Sequence, residues 1–290
     1  MLKRELMHLF EVEDVVDRED YPKGRQLDLL VQLATGYQAR GLLDVVQPRP
    51  MWDCCAHGRE CWKPRRLIPR RSSKVNCGQI TLPWVGPLYE PGGVAVLAIN
   101  LHNASGWLTE FEITCSSAGC PDHPSQIGSF EAGRRRAHRS PFAYGSTRTA
   151  AMLLDLADQE PIRDRSAPLD LIGPLNRIAR LQAVKCAPAD GGRGTPTRAM
   201  NRNCPPMLLA DELAILKPAL ILTIGAAPSR AIRALPGFEP NPGGRSVLLG
   251  RLADKNTKTL VYSVAHPVAH AAWSRDHEAL KRHLRRRACS

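Results

Sequence analysis

Cys186 and Cys204 bracket a polar loop, CAPADGGRGTPTRAMNRNC, rich in glycine, proline and threonine. Thiolates at the ends of regular elements suit a metal or a redox partner, because they keep fixed directions while the chain between them stays free. Cys54, Cys55, Cys61 and Cys77 precede them among prolines and arginines, with His57 in their midst. Such soft ligands take zinc or an iron–sulfur cluster. Two further polar residues close apolar runs: Asn100 ends VAVLAIN, and His266, followed by Pro267, comes directly after LVYSVA. An amide cannot be a general base at neutral pH, so Asn100 can only hold and orient a nucleophile, whereas an imidazole exchanges a proton near neutrality.

A scaffold must position these groups, and hydrophobic periodicity describes one. From Gly93 onward, short aliphatic runs alternate with helical patterns. The spacing predicts strands over Val94 to Asn100, Leu181 to Lys185, Ala219 to Ile224 and Leu260 to Ala265. Helices are expected over Arg148 to Ala157, Pro205 to Leu216, Ser229 to Leu235 and Ser274 to Arg286. Strands separated by helices imply right-handed crossovers and a parallel sheet covered on both faces. The expectation is an α/β protein: a three-layer α/β/α domain over residues 83–290 with a central four-stranded, mainly parallel sheet. Residues 1–82 are expected as an N-terminal extension, first helical (GRQLDLLVQLATGYQARGLLDVV) and then irregular and cysteine-bearing. An insertion from His102 to Arg139 carries Cys115, Cys120 and three successive arginines. In an open parallel sheet ligands bind beyond the carboxyl ends of strands, which directs attention to Asn100, Lys185, Cys186, Gly225 and His266.

In order along the chain, VAVLAIN, SPFAYGSTRTAAMLLDLA, LQAVKCAP with TPT and NC, LKPALILTIGAAPSRAI and VYSVAHP resemble the uracil-DNA glycosylase superfamily. The likeness is nearest to its iron–sulfur families four and five and runs from about Pro83 to Arg286. It implies a DNA glycosylase of base-excision repair that flips a deaminated base from the stack and hydrolyses its N-glycosidic bond. Asn100 would position water and His266 would stabilise the leaving base. Phe142 would stack on the flipped base, with Gln182 and Ile99 completing the base pocket. Gly225, His270 and Thr197 would face the DNA backbone. The resemblance further implies a 4Fe-4S cluster held by Cys61, Cys77, Cys186 and Cys204, with Cys55 or Cys54 as substitutes in the first pair. A zinc ion on Cys54, Cys55, His57, Cys61 and Cys77 is the alternative.

The chain departs from the family pattern at three places. Gln182 stands where the family reads the base with asparagine, which leaves the excised base open. Val268 replaces the serine of the HPS motif, and the following AHAAW lacks a bulky aliphatic wedge that His270 only partly replaces, so single-stranded or mismatched DNA is the expected substrate. Leu101-His102-Asn103 replaces a proline and glycine after the water-binding motif. The RRRAH of Arg134 to His138 is similar to a KRRIH loop of one branch but sits elsewhere in the order, and is read as chance. A non-catalytic iron–sulfur protein that binds nucleic acid on the same fold is the rival reading; a nucleotide-binding oxidoreductase is disfavoured because no glycine fingerprint follows VAVLAIN.

Bulk properties agree with a polyanionic partner. Net charge is +12, with arginines grouped at Arg65, Arg66, Arg70 and Arg71, at Arg134 to Arg136, and at Arg285 to Arg287. No run of eighteen apolar residues occurs, and the opening MLKRELMHLFEVEDVVDRED turns acidic where a signal peptide turns apolar. A cytoplasmic protein without membrane contact is expected, in which nine cysteines do not form a disulfide framework.

Overall fold

Runs such as VAVLA and LILTI lack polar alternation because both faces of their strands are covered. The computed structural model describes residues 24–42, 55–61, 83–98, 141–154, 174, 177–185, 196–242, 247–254 and 257–288. Within them lies one mixed sheet of seven strands in the order β1-β3-β2-β4-β7-β6-β5. The strands are β1 (Trp84–Val85), β2 (Val94–Ala98), β3 (Ile178–Gln182), β4 (Leu220–Ile224), β5 (Phe238–Pro240), β6 (Leu248–Asp254) and β7 (Thr257–Val264). The central four, β3-β2-β4-β7, are parallel, and β1, β6 and β5 extend the sheet antiparallel at its edges.

The sheet therefore exceeds the four strands expected from sequence. The four parallel strands were legible because each is a short apolar run. β1 has only two residues, and β6 hides behind Gly250 and Arg251. Gly250 sits at a register shift where a Cβ would come within 2.2 Å of the Glu239 carbonyl oxygen, so the crossing of β5 and β6 requires glycine.

Among the described residues seven helices accompany the sheet: α1 (Gly24–Ala39), α2 (Gly58–Cys61), α3 (Pro141–Leu154), α4 (Arg198–Cys204), α5 (Ala210–Leu216), α6 (Ala226–Arg233) and α7 (His270–Ala288). One side of the sheet packs Ala95, Leu97, Leu181 and Ile221 against Leu29, Leu30 and Leu33 of α1, Leu213 of α5 and Ile232 of α6. The other side packs Val96, Ala98, Leu222 and Val264 against Ala150 and Leu153 of α3 and Trp273, Leu280 and Leu284 of α7. Among the described residues no helix is long and apolar enough to cross a membrane.

Two local departures from the sequence expectation move the chemistry. β3 runs from Ile178 to Gln182, three residues earlier than the expected start, because the buried Arg180 breaks the apolar run that periodicity would otherwise detect. Gln182 thus ends the strand, and Lys185 lies beyond it. The helix expected from Pro205 begins instead at Arg198, capped by Thr197, whose Oγ1 accepts the Met200 N–H at 3.1 Å. It continues through the prolines by way of a π-helical turn, Pro205–Leu209, into α5. Proline has no N–H to give the ladder, and a wider turn relieves the clash of its ring with the preceding carbonyls.

Candidate active site and neighbouring thiols

The parallel strands present their carboxyl ends to one edge. From β2 the chain passes to β3 on one side, then returns to place β4 on the other, so the topological switch point falls between β2 and β4. Along this edge stand Gln182 at the end of β3, Ala98 at the end of β2, Gly225 after β4, and Ala265 and His266 after β7. Only β4 separates β2 from β7, which sets their ends about 10 Å apart. Ile99 and Asn100 continue the chain from β2 and lie outside the described residues.

Gln182 pairs in register with Ala98, on the α3 and α7 side of the sheet. It is 7% exposed, and its Oε1 has no hydrogen-bond partner among the described residues. Leaving a buried carbonyl oxygen bare costs about 1–3 kcal/mol. At the carboxyl edge of a parallel sheet, such an atom is suited to accept an N–H from a ligand.

His266 has the opposite character. The Val268 N–H donates to its Nδ1 at 3.3 Å, so the neutral ring carries its proton on Nε2. Burial depresses the pKa of this half-buried imidazole, which keeps it neutral near pH 7 and makes Nε2–H a donor. The turn that carries it is clamped from two helices. Asp276 of α7 accepts the Ala265 N–H at 2.8 Å. Gly145 of α3 lies so close to Pro267 that a Cβ there would stand 2.6 Å from the Pro267 Cβ. Thr149 Oγ1 joins the two helices, donating to the Gly145 carbonyl at 2.8 Å and accepting from Trp273 Nε1 at 3.2 Å, with His277 Nδ1 also at 3.2 Å. Phe142 occupies the first turn of α3, one turn before Gly145, so its backbone lies at the same end of the sheet as His266.

The residues expected at the DNA backbone have other visible work. Gly225, at φ 90°, gives its N–H to the Val264 carbonyl at 2.8 Å and accepts from Ser229 Oγ at 2.8 Å. Thr197 caps α4 and donates to the Cys61 carbonyl at 3.2 Å, tying α2 to α4. His270 opens α7, exposed, with its ring 6.1 Å from that of Trp273. Val268 stands beside it at 70% exposure.

Beyond β3 three thiols lie within electrostatic reach of one another. Cys55, Cys61 and Cys204 are close enough that charge on the first two adds to the penalty for ionising the third. Each receives one N–H: Cys55 from the backbone of His57, Cys61 from the Asn203 amide at 3.9 Å, and Cys204 from the backbone of Lys185 at 3.2 Å. Burial pushes all three pKa values up, that of Cys204 to about 11. Arg202 and Asn203 of α4 hold Glu60 of α2, and Thr197 holds Cys61, so the two thiol-bearing helices form one unit. Cys186 directly follows Lys185; it lies outside the described residues, as do Cys54 and Cys77. Among the described residues no group of three or more histidines, cysteines and carboxylates is arranged to hold a metal ion. The donor chemistry nevertheless suits an iron–sulfur cluster, whose sulfur ligands are characteristically supported by N–H donors.

Sequence reasoning missed what lies behind Cys204. The Lys185 ammonium, 1% exposed, bonds Glu212 Oε2 of α5 at 2.6 Å, and the Tyr37 hydroxyl of α1 bonds Glu212 Oε1. Burial pushes Lys185 down to about 7 and Glu212 up, so each charge depends on its partner. Helical spacing places Tyr37 on the buried face of α1 with Leu30, Leu33 and Ala34, but nothing in the spacing announces its hydroxyl's partner. Asp276 and Gly145 likewise carry no sequence signal of their contacts. Compared with models of known protein families the chain matches none, and a search of curated proteins finds no match.

Proposed function

We propose that this chain is a DNA glycosylase of the uracil-DNA glycosylase type, built as a three-layer α/β/α fold. It removes a deaminated base from single-stranded or mismatched DNA. The observation that carries the reading is the buried Oε1 of Gln182, unpartnered among the described residues, at the end of β3, on the sheet edge that also carries His266. Uracil, hypoxanthine and xanthine all offer a ring N–H to such an acceptor. His266, neutral and donating through Nε2, supplies a hydrogen bond to the base oxygen on which negative charge builds as the glycosidic bond breaks. Asn100, which follows β2, holds the water that attacks the sugar carbon. Phe142 in the first turn of α3 stacks on the extruded base, a contribution of roughly 1–3 kcal/mol that does not identify it.

The neighbouring thiols hold a 4Fe-4S cluster. Cys61, Cys77, Cys186 and Cys204 are the ligands, with Cys55, which lies within electrostatic reach of Cys61 and Cys204, as the substitute in the first pair. When bound, the cluster would tie α2 to α4 and to the residue that follows Lys185.

An abasic-site cleavage assay with uracil, hypoxanthine and xanthine in single- and double-stranded oligonucleotides tests the activity. Release that vanishes in both Asn100→Ala and His266→Ala supports it. Tight binding without release of any base indicates the rival, a non-catalytic binding protein. Absorbance near 400 nm with about four irons per chain tests the cluster; zinc in their place removes it.

A further inference from the structure

Behind the thiols, a chain of buried polar contacts runs from the N-terminal extension to Cys204. Tyr37 of α1 donates to Glu212 Oε1, Glu212 Oε2 accepts from Lys185 Nζ at 2.6 Å, and the Lys185 backbone N–H donates to Cys204 Sγ at 3.2 Å. Each member is at most 6% exposed. α1 otherwise docks on α5 through the exposed Arg40–Asp211 pair and buries Leu29, Leu30 and Leu33 in the sheet's core. The extension is thus fastened to the one helix whose carboxylate anchors the residue behind the thiol.

From this arrangement we infer that Tyr37 and Glu212 are positioning residues for the thiol cluster, and that α1 thereby sets how firmly Cys204 is held and shielded. With both carboxylate oxygens engaged, Glu212 holds the Lys185 side chain in one place. That fixes the direction of the N–H at Cys204, a bond of the kind that tunes cluster potential and protects the thiolate from exchange. Without the Tyr37 hydroxyl, one buried carboxylate oxygen is left bare and the chain of contacts loosens at Lys185. The inference rests in part on the cluster reading above, but its thiol arm does not.

The test uses the full-length protein, comparing wild type, Tyr37→Phe, Glu212→Gln and, as a control on the exposed pair alone, Arg40→Ala. In the iron-loaded form, bleaching of the 400 nm absorbance by a chelator should be ~5-fold faster in Tyr37→Phe, the factor that one lost hydrogen bond gives, and the midpoint potential should shift in Glu212→Gln. In the iron-free, reduced protein, one buried thiol should react with a disulfide reagent ~5-fold faster in Tyr37→Phe, and Cys204→Ser in that background should remove this phase. Arg40→Ala should match wild type in every arm, since exposed pairs contribute little. Wild-type bleaching, potential and thiol reactivity in both Tyr37→Phe and Glu212→Gln would overturn the inference. If no iron binds wild type, the cluster reading fails and the thiol arm alone decides the role of α1. Should Glu212→Gln not fold, Tyr37→Phe, which removes a single oxygen, carries the decision.

Discussion

At the scale of single residues, Gln182 and His266 make opposite demands. Gln182 presents a bare buried acceptor, so replacing it with an apolar side chain of similar size should relieve a penalty. Gln182→Leu is expected to raise the melting temperature, by the equivalent of about 1 kcal/mol or more, while base release falls sharply; calorimetry beside the cleavage assay checks both, and a destabilised variant would show that the oxygen already has a partner. His266 is a donor, and loss of a preorganised donor of this sort reduces turnover by about 100- to 1000-fold. Its depressed pKa sets the sign of the pH dependence. The ring stays neutral through its ordinary value near 6.5, so the rate should remain flat from pH 8 to below about 6.5 and fall only as the lower value is crossed. Unfolded chains take the proton first, so stability also declines as pH drops below about 6.5 toward that lower value. A rate–pH profile with its inflection above 6.5 would contradict this account.

At the scale of elements, the geometry of the site depends on how two helices meet one turn. Gly145 lets α3 approach Pro267. Gly145→Ala should push α3 away, costing about 1–3 kcal/mol as an overpacked contact does, and should lower base release together with thermal stability. Thermal melts and single-turnover rates measure the two effects; an unaltered rate would mean that Phe142 and His266 do not share a pocket. The parallel strands were readable from apolar runs alone, and so was the placement of His266 beyond the last of them. Gln182 was readable as a candidate, but not as a strand end, because Arg180 interrupts its run. The start of α4 was misread because proline usually marks a first turn, whereas here a π turn carries the helix through Pro205 and Pro206. The clamp on the His266 turn was invisible, since Asp276, Thr149 and Gly145 meet it from far along the chain. The grouping of Cys61 with Cys204, and of Cys55 as a substitute, came from the family resemblance and not from hydrophobic spacing, because it depends on how α2 docks on α4.

At the scale of the whole molecule, the proposed binding to DNA would, at a net charge of +12, be a matter of ion release as well as shape. Affinity for a single-stranded oligonucleotide should fall steeply with salt, with a slope in log K against log salt of about −0.7 for each phosphate engaged. Fluorescence anisotropy from 50 to 200 mM salt measures it, and a slope near zero would leave no role for the basic surface. The molecule also relies on helical phase. Cys204 and Glu212 are eight residues apart, which on a regular helix would turn them about 80° from one another. The π turn between them absorbs an extra residue and brings both back toward Lys185, Cys204 to its backbone and Glu212 to its side chain. A one-residue deletion within Pro205–Leu209 would only turn the π turn into plain helix and keep this phase, whereas a one-residue insertion there would act like a slipped gear tooth: α5 would rotate by about 100°, and the N-terminal helix and the sheet would each find the wrong side of it.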